Sequence, residues 1–496
     1  MPMQAVQIDE LDSVAVVLRP IKTGETVHAG FGEVTAREDI PTGHKIALRD
    51  MAAGERVIKY GLPIGHLTAG IRAGSWVHTW NLDSDLAGTS TFAYEPDVHE
   101  LEPVSLGTFR GFRRPDGGVG IRNELWIIPT VGCVDGIARE LAVRAQGLVR
   151  DGIEAVRAFE HPFGCSQTGD DLEQTGRVLA GLARHPNAGG VLVLSLGCEE
   201  LALEHFKELL GPYDEDRIAF VTCQDESDEL AAGMAALERL AVRAAGLHRE
   251  EVPASELVVG LECGGSDGLS GITANPVIGR VSDALVACGG TSVLAEVPEM
   301  FGGEPLLLSR CRNEQVFEQA AGMIADFKTY LLEHGASIDE NPSPGNREGG
   351  ITTLEEKSCG CIQKGGTAPV SGVVARYGDP VGCRGLVLCN TPGNDAASVT
   401  GLAAAGCHLV LFSTGRGTPL ESPVPTIKIS TSSELAEKKS GWIDFDAGRV
   451  ATGTCSIDEA GRELLDLLLE TASGRRTKGE ARGLQGISIW KRGATL

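Results

Sequence analysis

The sequence lacks any long hydrophobic run. Its longest apolar stretches, such as Val191–Leu196, are about six residues long, whereas a membrane-spanning helix needs about 20 apolar residues. The residues from Met1 to Glu10 also lack the basic region followed by an apolar run that marks a secretory signal. We therefore expect a cytoplasmic protein that has no membrane partner.

Positive charge is scarce as well. The chain has 44 Lys and Arg residues against 68 Asp and Glu residues, which gives a formal net charge of −24. Such an acidic surface repels phosphate backbones and anionic lipids, so we expect no nucleic-acid partner. An anionic substrate would need local cations or a metal ion in order to bind.

Two common cofactor motifs are absent. The chain contains no CxxC pair, which argues against a closed zinc module. It has no G-x-x-x-x-G-K-[ST] sequence, and Gly401–Gly406 lacks the rest of a dinucleotide-binding loop, so nucleotide binding is not supported. Cysteine itself is abundant, but the count of 13 is odd and no short cysteine-dense module occurs. Reduced core residues, metal ligands or reactive thiols are therefore expected instead of a disulfide scaffold.

The 496 residues predict two to four domains. Residues 1–81 contain short runs such as Val14–Leu18 and Arg56–Tyr60 between closely spaced glycines, which predicts a small all-β module. Residues 82–108 lose this periodicity and read as a linker. Beyond it, a rhythm of strand, glycine turn and helix predicts two α/β domains with mainly parallel sheets, 109–250 and 251–496.

The elements of the two α/β domains follow from apolar periodicity. The predicted strands are Leu125–Pro129, Gly190–Leu196, Ile218–Thr222, Leu257–Leu261, Ser292–Glu296, Gly385–Leu388 and Leu409–Phe412. The predicted helices are Ile137–Val149, Glu226–Ala244, Gln315–Leu332 and Glu459–Leu469, with a further helix that opens at Glu199.

Open parallel sheets bind ligands at the carboxyl ends of their strands. Four cysteines with glycine neighbours lie at or near such ends: Cys133, Cys165, Cys198 and Cys263. They could bind a soft metal or line a site as thiols. The alternative is that they pack as small hydrophobic residues.

Other polar residues also follow predicted strands. His161 and Cys165 flank a Pro-Phe-Gly turn before a helix that begins near Gly169, and a capped turn with a hydrogen-bonded histidine is the alternative to a catalytic pair. Glu296 ends a predicted strand and is a candidate general base, or a carboxylate that caps a turn. Arg416 lies between two glycines, which suits binding of a carboxylate, although an exposed turn would have the same sequence.

Several long blocks resemble the altronate/galactarate dehydratase family. They are Arg122–Val134, His185–Val193, Gly260–Pro276, Glu340–Asn346 and Phe412–Pro419, together with Gly43–Lys45 and Val57–Gly65 in the β module. The resemblance runs from the strand around Val14 to the helix after Glu459. It implies that the β module is a SAF (β-clip) domain. The blocks Gly349–Ser358 and Trp442–Gly448 resemble the altronate branch of the family.

The resemblance implies a hydro-lyase that removes water from a sugar acid. The expected reaction converts D-altronate to 2-dehydro-3-deoxy-D-gluconate, with iron(II) as cofactor and manganese(II) as its alternative. The predicted metal ligands are His44, His78, His161, Cys198 and Cys263. The predicted catalytic residues are His161, Cys165, Lys45 and Glu296. The predicted substrate-binding residues are Arg416, Ser266, Asp267, Asn275, Asn346 and Thr414.

Several alternatives stay open at this point. The altronate branch commonly carries His-x-His-Asn at the end of the β module, whereas this chain has His78-Thr-Trp80-Asn81. Galactarate dehydration, removal of sulfite as in the similar sulfolactate sulfo-lyases, and sugar-acid binding without catalysis are the other functions. An iron–sulfur cluster on the strand-end cysteines is the other cofactor. A homodimer is the expected assembly.

Overall fold

The N-terminal part of the chain is an all-β module. The computed structural model describes residues 4–30, 32–86, 88 and 92–495. The strands of the module are β1 (Ala5–Val6), β2 (Val14–Val17), β3 (Thr26–Ala29), β4 (Gly32–Thr35), β5 (Lys45–Ala47), β6 (Arg56–Lys59), β7 (Leu62–Leu67), β8 (Trp76–Val77) and β9 (Leu82–Asp83). They form a six-stranded sheet in the order β4-β3-β1-β2-β5-β8 and a three-stranded sheet in the order β6-β7-β9. Residues of β3 alternate between solvent and the core, as expected for a sheet with one buried face.

The middle of the chain contains a four-stranded parallel sheet. Its elements are β10 (Thr108–Arg113), β11 (Val119–Gly120), β12 (Glu124–Pro129), α1 (Asp135–Arg144), β13 (Val156–Ala158), α2 (Asp170–Arg184), β14 (Ala188–Ser195), α3 (Leu203–Leu210), β15 (Ile218–Thr222), α4 (Glu229–Ala245) and β16 (Arg249–Pro253). The parallel sheet has the order β13-β12-β14-β15. Strands β10, β11 and β16 form a separate antiparallel sheet, which brings the two ends of this region together.

The C-terminal domain contains a seven-stranded parallel sheet. Its strands are β17 (Val258–Cys263), β18 (Thr291–Leu294), β19 (Val370–Val374), β20 (Gly385–Cys389), β21 (Leu409–Thr414), β22 (Thr426–Ser430) and β23 (Phe445–Asp446). They lie in the order β19-β20-β18-β17-β21-β22-β23. The helices are α5 (Ala274–Ala287), α6 (Glu304–Leu308), α7 (Glu314–Glu333), α8 (Pro344–Glu348), α9 (Leu354–Ile362), α10 (Asp395–Ala404), α11 (Ser433–Lys438), α12 (Ile457–Ala472) and α13 (Lys478–Arg482).

The predicted fold class, an all-β module followed by α/β domains with mainly parallel sheets, is confirmed. Two local predictions are wrong. The helix predicted to open at Glu199 begins at Leu203, because the Glu199 carboxylate accepts hydrogen bonds from the backbone N–H groups of Leu196 and Gly197 and holds a loop there. Strand β18 ends at Leu294, so Glu296 lies beyond it in a left-handed backbone conformation. Part of the predicted linker, residues 87 and 89–91, lies outside the described residues.

Backbone contacts join the β module to the C-terminal domain. The Gly268 backbone, in the loop after β17, lies so close to Gly43 that a Cβ atom on Gly268 would be 1.8 Å from the Gly43 carbonyl oxygen. A Cβ atom on Gly350 would likewise be 2.4 Å from the Gly43 carbonyl oxygen. These contacts place the module against the loop after β17 and the loop before α9. Among the described residues, no helix is long and apolar enough to cross a lipid bilayer.

Candidate active site

Two buried lysines of the β module share one carboxylate of the C-terminal domain. Lys45 begins β5 and Lys59 ends β6, and both side chains reach Glu356 on α9. The Lys45 Nζ lies 2.8 Å from one Glu356 oxygen and the Lys59 Nζ lies 2.7 Å from the other. Lys45 also donates to the Gly350 carbonyl at 2.7 Å. All three side chains are at most 2% exposed, so these ion pairs are shielded from solvent.

This Lys45–Glu356–Lys59 triad holds one more positive than negative charge. Burial alone would raise the pKa of the Glu356 carboxyl, but Lys45 and Lys59 outweigh that effect and hold the pKa below its usual range. The backbone N–H and hydroxyl of Thr352 also donate to Glu356, at 2.8 and 2.7 Å. Burial lowers the pKa of Lys45 to about 8, although Glu356 opposes the shift. Lys45 can therefore exchange its proton near neutral pH.

A second buried cluster lies on another face of α9. Lys357 and Cys361 are four residues apart and so project from the same side of the helix. The Cys361 sulfur lies 3.6 Å from the Cys263 sulfur, and the Cys263 thiol donates to Glu299 at 2.9 Å. Lys357 pairs with the other Glu299 oxygen at 2.8 Å. Cys263 is the last residue of β17, and Glu299 lies in a short 3-10 helix, Val297–Met300, so three separate elements build this cluster.

Further carboxyl groups surround the two thiols. Glu296 lies 3.7 Å from the Cys263 sulfur. Its neighbour Glu262 accepts a hydrogen bond from the Ser398 hydroxyl at 2.7 Å. Burial, together with the neighbouring carboxyls of Glu262 and Glu299, raises the pKa of Glu296 well above its usual range. The Lys364 ammonium lies 3.5 Å from Glu299 and has no hydrogen-bond partner among the described residues.

A small pocket lies between the triad and the thiol cluster. Its water-accessible volume is only about 10 Å³, and it is walled by residues of both the β module and the C-terminal domain. Its polar wall includes Lys59, Tyr60, Ser266, Asn275, Glu356, Lys357 and Cys361. Burial raises the pKa of Tyr60 to about 12, so its phenol is neutral at pH 7. A Cβ atom on Gly271 would lie 2.1 Å from the Tyr60 hydroxyl oxygen, which shows how closely the two domains meet here.

The thiol cluster fits a divalent cation. Within the described part of the chain, the only three Cys, His, Asp or Glu residues whose ligand atoms all lie within 4.8 Å of one another are Cys263, Glu299 and Cys361. If both thiols, Glu299 and Glu296 ionise, their four negative charges face the two ammonium groups of Lys357 and Lys364. One divalent cation would then make the cluster neutral, and thiolates with a carboxylate are donors that iron(II) accepts.

The predicted histidine ligands have other partners. His44 Nδ1 accepts a hydrogen bond from the Trp76 indole at 3.1 Å, and its Nε2 contacts the Glu348 carbonyl at 3.2 Å. His78 Nδ1 accepts from the Thr79 N–H at 2.7 Å. Burial lowers the pKa of both rings to about 4. The rings lie together, 4.9 Å between centroids, and both ring nitrogens of His44 are already hydrogen-bonded in this arrangement.

His161 lies in the middle region and faces its own backbone. Its Nε2 contacts the Pro129 carbonyl at 2.8 Å, and its Nδ1 accepts from the Phe163 N–H at 3.2 Å. The ring is therefore the hydrogen-bonded histidine of a turn, and it makes no contact with His44 or His78. Cys165 and Cys198 are exposed in the same region, whereas Cys263 is in the buried cluster of the C-terminal domain. The structure thus separates the predicted metal ligands into three groups.

Three of the six predicted substrate-binding residues, Ser266, Asp267 and Asn275, line the pocket, and hydrogen bonds hold several of the six in place. Asn275 donates to the Gly360 carbonyl at 2.9 Å, and Asn346 donates to the Ser266 carbonyl at 2.7 Å. Asp267 accepts from the Thr431 hydroxyl at 2.9 Å, and the Thr414 hydroxyl accepts from the Gly417 N–H at 2.8 Å. Ser266 lines the pocket and lies 3.3 Å from the Cys263 sulfur.

Arg416 does not line the pocket. Its guanidinium pairs with Glu348 at 2.7 Å, and the two side chains are 46% and 72% exposed. Its charge is therefore already balanced and is screened by solvent.

Several of the residues that form this site were not among those predicted from the sequence. They are Lys59, Tyr60, Glu299, Glu356, Lys357 and Cys361. The spacing of Lys357 and Cys361 was the available signal, because residues four apart share one face of a helix. The helix that carries them could not be recognised, because residues 354–362 show no apolar periodicity.

Three family models match successive parts of the chain. Residues 3–85 match the altronate/galactarate dehydratase SAF domain. Residues 111–245 match the second domain of D-galactarate dehydratase/altronate hydrolase, and residues 254–495 match the C-terminal domain of D-galactarate/altronate dehydratase. The pocket described above is built by the first and third of these domains.

Full-length relatives agree with these matches. The chain is 49% identical to altronate dehydratase of Escherichia coli (strain K12), with 100% of both chains covered. It is 46% identical to altronate dehydratase of Bacillus subtilis (strain 168), with 99% of both covered. Galactarate dehydratase (L-threo-forming) of Escherichia coli (strain K12) is 34% identical, with 95% of this chain and 93% of the relative covered. The predicted family, SAF module and enzymatic nature are confirmed, and the chain belongs to the altronate/galactarate dehydratase family of enzymes.

Proposed function

We propose that this enzyme removes water from D-altronate and releases 2-dehydro-3-deoxy-D-gluconate. The observation that carries the proposal is the pocket between the two domains, in which the positively charged triad faces residues of the family's Gly260–Pro276 block. The identities of 49% and 46% to two altronate dehydratases, against 34% to a galactarate dehydratase, favour altronate as the substrate.

The charges of the pocket suit a sugar acid. The chain has a net charge of −24, which repels an aldonate at long range. Lys59 and Lys357 both line the pocket, and the triad leaves one positive charge without a counter-charge. We propose that Lys59 binds the substrate carboxylate and that Ser266, Asn275 and Tyr60 contact its hydroxyl groups.

The reaction removes a proton from C2 and a hydroxide from C3, and these two leave together as water. The enol that remains tautomerises to the 2-keto acid. We propose that the triad accepts the C2 proton in the enzyme form in which Lys45 is neutral, because Glu356 borders the pocket and the pKa of Lys45 is about 8. Uptake of that proton then gives the triad its net positive charge. Coupled groups of this kind share a proton, so the triad and not one atom is the base.

We propose that Cys263, Glu299 and Cys361 would hold an iron(II) ion beside this pocket, with manganese(II) as the alternative. A bound divalent ion would supply Lewis-acid stabilisation of the negative charge that develops on the substrate. The chain's own residues would prepare the carboxylate ligand, because Lys357 and Lys364 hold the pKa of Glu299 below its usual range. The predicted roles of His161, Cys165 and Glu296 in catalysis stay predictions.

We also propose that the enzyme acts in the cytoplasm. All thirteen cysteines are free, which supports a reducing compartment. The homodimer stays a prediction.

The function is tested with a panel of aldonates and aldarates. Anaerobically purified enzyme supplied with iron(II) should form a keto acid from D-altronate at least about tenfold faster in kcat/KM than from galactarate, a difference of roughly 1.4 kcal/mol. Faster turnover of galactarate by the same factor would assign the enzyme to the galactarate branch. Release of sulfite from sulfolactate without turnover of either sugar acid would overturn the dehydratase proposal.

A further inference from the structure

The carboxyl edge of the four-stranded sheet carries exposed thiols from three adjacent strands. Cys133 follows β12, Cys165 follows β13 and Cys198 follows β14, and all three side chains are exposed. The strands pair in the order β13-β12-β14. Because neighbouring strands lie about 4.8 Å apart, the three loops begin within about 10 Å of one another.

Contacts beside each cysteine draw the loops together. The Gly132 N–H donates to the Phe163 carbonyl at 2.9 Å, and the Leu201 N–H donates to the Gly164 carbonyl at 3.1 Å. A Cβ atom on Gly164 would lie 2.0 Å from the Thr130 carbonyl oxygen, so only glycine permits this approach. Thr130 in turn donates to Glu199 at 2.7 Å. Residues next to Cys133, Cys165 and Cys198 are therefore in mutual contact.

The three thiols are largely unpartnered. In the described part of the chain, no hydrogen bond reaches the sulfur of Cys133 or Cys165. The Cys198 sulfur accepts one from the Gln224 side-chain amide at 3.2 Å. Cysteine is one of the residues most often found buried, so three exposed thiols on one edge need an explanation other than packing.

The spacing of the sulfurs argues against a single metal ion. Thiolates on one tetrahedral zinc ion would lie about 3.8 Å apart, because Zn–S bonds are about 2.3 Å long. Among the described residues, these three sulfurs are not all within 4.8 Å of one another. A cluster of several iron atoms places each thiolate on a different iron, so it spans a wider set of cysteines.

We infer that Cys133, Cys165 and Cys198 bind an iron–sulfur cluster of the [4Fe–4S] type at this edge, with one iron that has no cysteine ligand. The amide of Gln224 would donate to one of the ligating sulfurs, a kind of contact that tunes such clusters. This site is separate from the proposed iron(II) site at Cys263, Glu299 and Cys361, which lies in the C-terminal domain.

The test uses the full-length enzyme, purified without oxygen and reconstituted with iron(II), sulfide and a thiol reductant. We expect about four acid-labile sulfides per chain and a brown protein with broad visible absorbance. Cys133→Ser, Cys165→Ser and Cys198→Ser should each lose at least about half of the bound sulfide. The matched control is Cys383→Ser, because Cys383 is also exposed but lies in the C-terminal domain.

Two results would overturn the inference. One is reconstituted wild-type enzyme that binds no acid-labile sulfide. The other is a Cys263→Ser variant that loses the sulfide while Cys133→Ser retains it, because the cluster would then belong to the other site. Circular dichroism of each variant separates loss of ligand from loss of fold. Altronate turnover by iron(II)-loaded enzyme is measured separately, so failure of the cluster inference and failure of the proposed dehydratase function are distinguishable.

Discussion

The Lys59 ammonium lies 2.7 Å from the Glu356 carboxylate, although the two residues are 297 positions apart in the chain. One belongs to the β module and the other to α9 of the C-terminal domain. Both are almost completely buried, so this ion pair is part of the interface between the domains and part of the wall of the pocket.

Removing the shared carboxylate should destabilise the enzyme. In Glu356→Gln, the ammonium groups of Lys45 and Lys59 would remain buried without a counter-charge. Breaking a buried ion pair costs about 3–5 kcal/mol, which we expect as a lower urea midpoint. Glu348→Gln is the control, because that side chain is 72% exposed and its pair should contribute less than about 1 kcal/mol. Equal midpoints for the two variants would contradict the buried triad.

Lys59 should matter more for catalysis than Arg416. Lys59→Met leaves Lys45 to pair with Glu356, so we expect the fold to persist while kcat/KM for altronate falls at least about tenfold. Arg416→Ala removes a solvent-screened pair and should lower kcat/KM by less than about threefold. Lys22→Met, at a 76% exposed lysine of the same module, controls for the loss of charge. A larger loss of kcat/KM in Arg416→Ala than in Lys59→Met would indicate that Arg416, and not Lys59, binds the substrate carboxylate.

Lys45 should make stability depend on pH above neutrality. Its pKa is about 8 in the folded enzyme and about 10.4 in an unfolded chain. Between these values the unfolded chain binds more protons, so this group's contribution to the free energy of unfolding increases with pH. From pH 8 to 10 the gain should be roughly 2–3 kcal/mol. Urea unfolding of wild type and Lys45→Met across this range should show a difference in slope, and parallel curves would contradict the lowered pKa.

Gly268→Ala should separate the two domains at the pocket. The new Cβ atom would lie 1.8 Å from the Gly43 carbonyl oxygen, and both groups are backbone, so the loops must move apart. We expect kcat/KM for altronate to fall at least about tenfold, because the β-module wall that carries Lys59 would no longer be held in position against the C-terminal domain. Gly136→Ala is the control, since nothing lies within 4 Å of its added Cβ. Unchanged kinetics in Gly268→Ala would show that the junction does not need this close approach.

The sequence predicted the strands of the parallel sheets well and the helix at the site poorly. Leu125–Pro129 was predicted and β12 spans Glu124–Pro129, while Gln315–Leu332 was predicted and α7 spans Glu314–Glu333. β12 contains a continuous apolar run, and α7 has one buried side and one polar side. All nine residues of α9 are buried, so it has no polar stripe by which a helix is recognised.

The role of Lys59 could not be predicted for a related reason. The strand Arg56–Tyr60 was predicted, but lysine is rarely buried unless it is paired. Its partner, Glu356, is supplied by a helix that lies far along the chain, and local patterns carry no information about such a pairing. By contrast, Ser266 and Asn275 were predicted from the family block and do line the pocket.

Because the pocket is walled by both the β module and the C-terminal domain, ligand binding in the pocket and docking of the two domains are thermodynamically coupled. A sugar acid that contacted Lys59 on one wall and Asn275 on the other would bind both domains at once. If docking of the two domains increases the affinity for the ligand by some factor, the ligand must increase the equilibrium constant for docking by the same factor. Altronate should therefore protect the junction from proteases, and above its Kd it should raise the melting temperature of the enzyme with the logarithm of the altronate concentration.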